Sequence, residues 1–141
     1  LVPTWAGKGD GASKYYLHQG KADSTLALRE QLANVSVAKG FRVFKKPIFS
    51  TSAILAETKG MIRNWSKKGF FGVDLETAAT FAIAKHFGVA CAGLLFLSDN
   101  VIEDQHVLME LAFEDKKRKI KAKESILPLA LQSGIEFVKG V

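Results

Sequence analysis

Residues 72–100, GVDLETAATFAIAKHFGVACAGLLFLSDN, decide the fold. The stretch enters on two acids, Asp74 and Glu76, and leaves on Ser98-Asp99-Asn100. Between them comes a helical pattern over 75–87 that is apolar almost all round, and then 89–97, which carries no charge. A helix or strand without a polar face has to be covered on every side. The stretch is therefore expected at the centre of an α/β domain, with a buried strand at 89–97. Acids bordering such an interior are costly unless they are paired or functional.

Working outward, 70–75 is expected as a strand, so that strand, helix and strand form a parallel pair with a right-handed crossover. Gly69 and Gly88 stand where helices stop, as does Gly40 after a helix expected over 22–39. That helix has Asp23 or Ser24 as candidate caps. Residues 41–50 are rich in β-branched and aromatic side chains and predict another strand, followed by a helix ending near Lys68. The first six residues contain Pro3 and suit an edge or the start of a strand. The glycine-rich 7–13 is expected as a mobile connecting loop, since its spacing is not that of a nucleotide-binding loop. Two helices are expected at the end, over 103–123 and from Glu124, the second offset by Pro128. The fold class is α/β, with a mixed, largely parallel central sheet flanked by helices. In such sheets ligands bind beyond the carboxyl ends of the strands. Ser50–Ser52, Asp74–Glu76 and Ser98–Asn100 all fall at that end, and Phe49 is beside them.

The 141 residues suffice for one domain with its own core, and 48% hydrophobic with 24% charged residues is a globular composition. The net charge is +6, with a cluster at Lys116-Lys117-Arg118-Lys119-Ile120-Lys121. No aromatic residues interleave with that cluster, so it is taken as a solvated helix face and no nucleic-acid partner is expected. No apolar run reaches membrane-spanning length. The single cysteine, Cys91, excludes an intrachain disulfide and fits a reducing compartment, where it is expected to be a small core residue. His18, His86 and His106 lack metal-ligand spacing, so no metal site is expected. From chemistry alone Asp74 and Glu76 have two readings: a helix cap or salt bridge, or a carboxylate pair for acid–base work or for holding sugar hydroxyls. Asp99 is likewise a turn residue, a cap or a site residue.

Asp74-Leu75-Glu76 opening an apolar helix, then a hydrophobic segment ending in Ser98-Asp99, resembles the nucleoside phosphorylase family of purine nucleoside, uridine and methylthioadenosine phosphorylases and related nucleosidases. The match is densest over these thirty or so residues and extends more weakly over the chain, to Val2-Pro3-Thr4 with 9–13 and to Ile48-Phe49-Ser50. The resemblance implies that the 141 residues are the C-terminal part of one such domain, incomplete at the N-terminus. It implies ribose binding by Leu75 and Glu76, and base binding by Phe49, Asp74, Ser98 and Asp99. Asp99 would be catalytic, kept protonated to hydrogen-bond or protonate the purine imidazole as the base leaves. The reaction implied is phosphorolysis to free base and ribose 1-phosphate, with inorganic phosphate as co-substrate and no other cofactor. The partners implied are nucleoside, phosphate and further copies of the chain, as a dimer, trimer or hexamer, in the cytoplasm.

Three departures from the family pattern accompany this. No phosphate ligands are visible, so the chain by itself is expected to be inactive. Residues 102–113 contain no arginine to close on the site. Glu57-Thr58-Lys59 stands where uridine-specific members carry Gln-x-Arg, which with Asp99 favours a purine. The competing expectations are a uridine phosphorylase, a nucleosidase using water, a non-catalytic nucleoside-binding or subunit module, and an unrelated α/β domain.

Overall fold

A computed structural model describes residues 1–18, 20–103 and 113–140. Its sheet runs β2-β1-β3-β4, with β1 Val2–Gly9, β2 Ala22–Asp23, β3 Lys45–Thr51 and β4 Val73–Asp74. β1 pairs in parallel with β3, and β3 with β4, while the short β2 lies antiparallel to β1. The helices are α1 Ser13–Tyr16, α2 Leu26–Ala38, α3 Lys59–Lys67, α4 Thr77–His86 and α5 Phe113–Lys139. The α/β class and the largely parallel sheet are thus as expected.

β1 is an inner strand rather than an edge. Its Pro3 is tolerated because β1 carries one extra residue relative to β3, between Pro3 and Ala6. The same irregularity explains the core. Val2 and Ala6 would share a face in a regular strand. Instead Val2 packs with Leu32 and Ala33 of α2, and Ala6 packs with Ile48 and with Ala78, Phe81 and Ala82 of α4. The bulge lets one small strand serve both faces of the sheet.

Gly88 ends α4 at φ +67, with Gly88 N–H bonded to the Lys85 carbonyl and Val89 N–H to the Ala84 carbonyl. This is the left-handed stop that a residue with a Cβ adopts only under strain. Gly40 and Gly69 also stand directly after helices, as expected.

Several expectations fail. Residues 89–97 form no strand, and they are half-buried or exposed rather than buried. The segment touches the start of β1, where Leu1 and Leu95 exchange N–H···O bonds of 2.9 Å in both directions. Such an exchange is the antiparallel pattern, and the next bonded pair would be Pro3 with Gly93. Pro3 has no N–H, and its ring lies against Gly93, so the ladder stops after one pair. The parallel crossover pair built on 89–97 therefore does not form. α4 is also open on one side, with Ile83 and Phe87 exposed. β4 is two residues long, not six. The loop expected at 7–13 is structured: β1 runs to Gly9, Asp10 is buried, and its Oδ1 accepts from Ser13 N–H at 2.6 Å. Pro128 sits inside α5, exposed, without dividing it. The expected helix over 103–123 and His106 fall partly or wholly outside the described residues.

Candidate functional site

The register brings the carboxyl ends of the parallel strands together, with Gly9 beside Thr51 and Ser50 beside Asp74. There a hydrogen-bonded brace ties β3, β4 and α4. The buried Ser50 hydroxyl donates to Asp74 Oδ1 at 2.6 Å and accepts from Ala78 N–H at 2.8 Å. Asp74 Oδ2 accepts from Thr77 N–H at 3.0 Å and from the Thr77 hydroxyl. A carboxylate at a helix N-terminus satisfies free N–H groups and complements the helix dipole. Of the two readings left open for Asp74, the cap is what the hydrogen bonds display.

A cavity of about 1040 Å³ opens beside this brace. Asp74 and Leu75 line it from one side, and Ser98, Asp99 and Asn100 from another. Glu57, from the loop ahead of α3, and Trp65 from α3 also border it. Its walls are mainly apolar with few polar groups, the usual make-up of a small-molecule site. The Ser98 hydroxyl donates to Asp99 Oδ1 at 2.9 Å. Burial pushes the Glu57 carboxyl above its ordinary value, and the negative charge of Asp99 adds to the shift.

Four of the six candidate residues, Asp74, Leu75, Ser98 and Asp99, thus share one cavity. Glu76 and Phe49 do not border it. Glu76 is exposed at the start of α4, where its Oε2 accepts from Leu75 N–H at 3.2 Å. Phe49 lies behind Trp65, its ring stacked at 4.6 Å and 25°, with Phe70 edge-on at 5.3 Å. A Cβ on Gly9 would fall 2.3 Å from the Phe49 ring, so β1 needs glycine there for the aromatic cluster to lie on it. Glu57 and Trp65 were not among the expected site residues. Glu57 carried a signal: it is an acid shortly after the polar end of β3, next to Thr58, which caps α3. Trp65 carried none beyond being a large residue on an amphipathic helix.

Cys91 is half-buried and packs against the Ala6–Phe81 cluster, and burial raises its thiol above the ordinary value. Among the described residues no His, Cys, Asp and Glu group gathers as a metal site, and no helix is long and apolar enough to cross a membrane.

A layered α/β fold with an acid-bordered, mainly apolar cavity beside its sheet is a common setting for a small-molecule site. The sequence profile of the phosphorylase superfamily matches residues 1–129, and the chain belongs to that family. Among curated proteins it is similar to a purine nucleoside phosphorylase DeoD-type of Clostridium beijerinckii, 33% identical over 69 residues, covering 49% of this chain and 29% of the relative. It is also similar to the DeoD-type enzyme of Clostridium novyi, 22% identical over 98 residues, covering 62% of this chain and 42% of that one. Among solved structures it is similar to AMP nucleosidase from Bacteroides thetaiotaomicron, with TM-score 0.70 and 20% identity, over 99% of this chain and 52% of that one. The chain thus spans about half the length of this structural relative, and less of the curated ones.

Proposed function

We propose that this chain is the nucleoside-holding, C-terminal part of an enzyme that cleaves the N-glycosidic bond of purine or methylthio-purine nucleosides by phosphorolysis. The observation that carries the reading is that Asp74-Leu75, at the carboxyl end of β4, and Ser98-Asp99 border one mainly apolar cavity. In this reading Asp99 hydrogen-bonds or protonates the base as the glycosidic bond breaks, stabilising the leaving group. Leu75 packs on the sugar, and Glu76 accepts hydrogen bonds from the ribose hydroxyls. Asp74 holds the turn that presents Leu75, and together with Ser98 it borders the base. Phe49 supports the base from behind through Trp65. The phosphate ligands come from outside these 141 residues, so that this chain alone is inactive. The working form is a cytoplasmic homo-oligomer. Leu127, Leu131, Ile135 and Val138 on the outer side of α5 are all more than half exposed, which favours a covered surface there.

The test is release of free base from inosine, adenosine, methylthioadenosine and uridine by the full-length protein, with and without phosphate. Phosphate-dependent release of a purine is expected, and Asp99→Asn is expected to lower kcat by about 10²–10⁴-fold. No release from any of the four defeats the reading. Release without phosphate replaces it by hydrolysis, the activity in the name of the AMP nucleosidase that shares this fold.

A further inference from the structure

We propose that the outer face of α5 is a contact between two copies of this chain, which meet there antiparallel about a two-fold axis. The inference gives the homo-oligomer its contact surface. It rests on that part of the proposed function and not on the reading of the cavity.

α5 packs against α2, with Leu129 and Ser133 buried. Its outer side carries Ile120, Glu124, Leu127, Leu131, Gly134 and Val138, spaced alternately by four and three residues. That is the spacing of a seam along which one helix packs on another. Leu127, Leu131 and Val138 are more than half exposed, so the seam has no such partner within the described residues.

Gly134 stands in the middle of the seam. Glycine inside a helix is unfavourable relative to alanine, and a Cβ at this position would meet nothing within 4 Å. The packing of the chain itself therefore does not call for glycine there. Leu131, Gly134, Ile135 and Val138 rim a shallow hollow of about 450 Å³. Four residues so spaced form the hole that receives one apolar side chain from a facing helix. A two-fold operation supplies that side chain. With the copies antiparallel, Leu131 of each enters the hollow at Gly134 of the other, and Leu127 lies against Val138 of the other copy.

Charge selects the same direction. Glu124 and Lys139 are exposed, and neither side chain has a partner among the described residues. They lie on the same flank of the seam, about 22 Å apart along the helix, so they cannot reach each other within one chain. In the antiparallel pair each meets the opposite charge of the other copy, twice by symmetry. A parallel pair would set Glu124 beside Glu124 and Lys139 beside Lys139, and like charges oppose that arrangement.

The experiment is sedimentation equilibrium of the full-length protein, unaltered and as Leu131→Glu, Glu124→Lys, Lys139→Glu and the double charge exchange. Self-association of the unaltered protein is expected, weakened about thirtyfold or more by Leu131→Glu. Each single charge reversal should weaken it about threefold or more, and the double exchange should restore it to within about twofold. Circular dichroism reports that each variant is folded, and the charge pair tests the contact even if Leu131→Glu is not. Self-association insensitive to Leu131→Glu puts the contact on another face and overturns this inference alone. A double exchange that associates no more tightly than the single reversals does the same. A monomeric full-length protein overturns the contact and the homo-oligomer together and leaves the nucleoside cavity standing. A dimer of these 141 residues beside such a monomer would show that the rest of the protein covers α5.

Discussion

Removing one oxygen atom at the centre of the brace should loosen the whole site. Ser50 is fully buried, and its hydroxyl bridges Asp74 of β4 and the Ala78 N–H of α4. Ser50→Ala deletes a hydrogen bond to a carboxylate, worth about 1.5–3 kcal/mol. It also leaves the buried Ala78 N–H without that partner, at about 1–3 kcal/mol. Asp74 keeps its bonds to Thr77, and some relaxation is expected, so we place the net loss at about 3 kcal/mol. With a urea dependence of about 2 kcal/mol/M, the unfolding midpoint should fall by about 1.5 M at constant slope. The assay is urea unfolding followed by circular dichroism, on Ser50→Ala, Asp74→Asn and the double variant. If the bridge is as described, the double variant loses less than the sum of the singles, with a coupling of about 1 kcal/mol or more. A midpoint shift under about 0.3 M, or strict additivity, refutes the brace as the element joining the strand ends to α4.

Gly9→Ala should destabilise the chain by about 1–3 kcal/mol in the same assay, because the new Cβ meets the Phe49 ring and the Ser50 carbonyl. Gly11→Ala, where a Cβ meets nothing within 4 Å, should be close to neutral. Cys91 should react with iodoacetamide near pH 8 more slowly than free cysteine, since burial raises its thiol and lowers the thiolate fraction; reaction at the free rate would contradict the burial. Glu57 has a folded-state value raised above its ordinary 4.5, so the unfolded chain releases that proton first as pH rises. Its contribution therefore favours folding at low pH and fades as pH climbs from about 4.5 through the folded value. Melting temperatures across that window should decline less in Glu57→Gln than in the unaltered chain, and parallel curves would count against the shift.

The parts of this fold that were legible in the sequence are those fixed by local chemistry. Gly40, Gly69 and Gly88 mark helix ends because a left-handed stop needs no tertiary partner. The β-branched and aromatic residues of 41–50 marked a strand there, and the structure places it at Lys45–Thr51. Of the candidate residues named from the short motifs, Asp74-Leu75 and Ser98-Asp99 line one cavity. What escaped depended on register between distant segments. That 89–97 stops pairing at Pro3 follows from a proline some ninety residues earlier in the chain. That Phe49 lies behind Trp65 follows from how α3 folds back over β3, which no local pattern records. Glu57 was visible as a residue, but that it borders the same cavity as Asp99 exists only in three dimensions.

Asp74 and Glu76 carry similar side chains two positions apart, and the fold gives them different work. Asp74 is at the last position of β4, where its side chain meets the Ser50 hydroxyl and the Thr77 N–H and hydroxyl at the start of α4. Those bonds occupy both of its oxygens, so it is suited to holding the turn. Glu76 is exposed at the start of α4, and only Oε2 has a hydrogen-bond partner among the described residues, the Leu75 N–H at 3.2 Å. A carboxylate that is solvated and held by one local bond retains acceptor capacity for a ligand's hydroxyl groups. The two substitutions should therefore separate. Asp74→Asn should lower stability first, by weakening the cap by about 0.5–2 kcal/mol. Glu76→Gln should leave the urea midpoint within about 0.3 M and instead weaken binding of ribosides relative to free bases. If Glu76→Gln instead destabilised the chain and bound ribosides normally, the two acids would have been assigned to the wrong tasks.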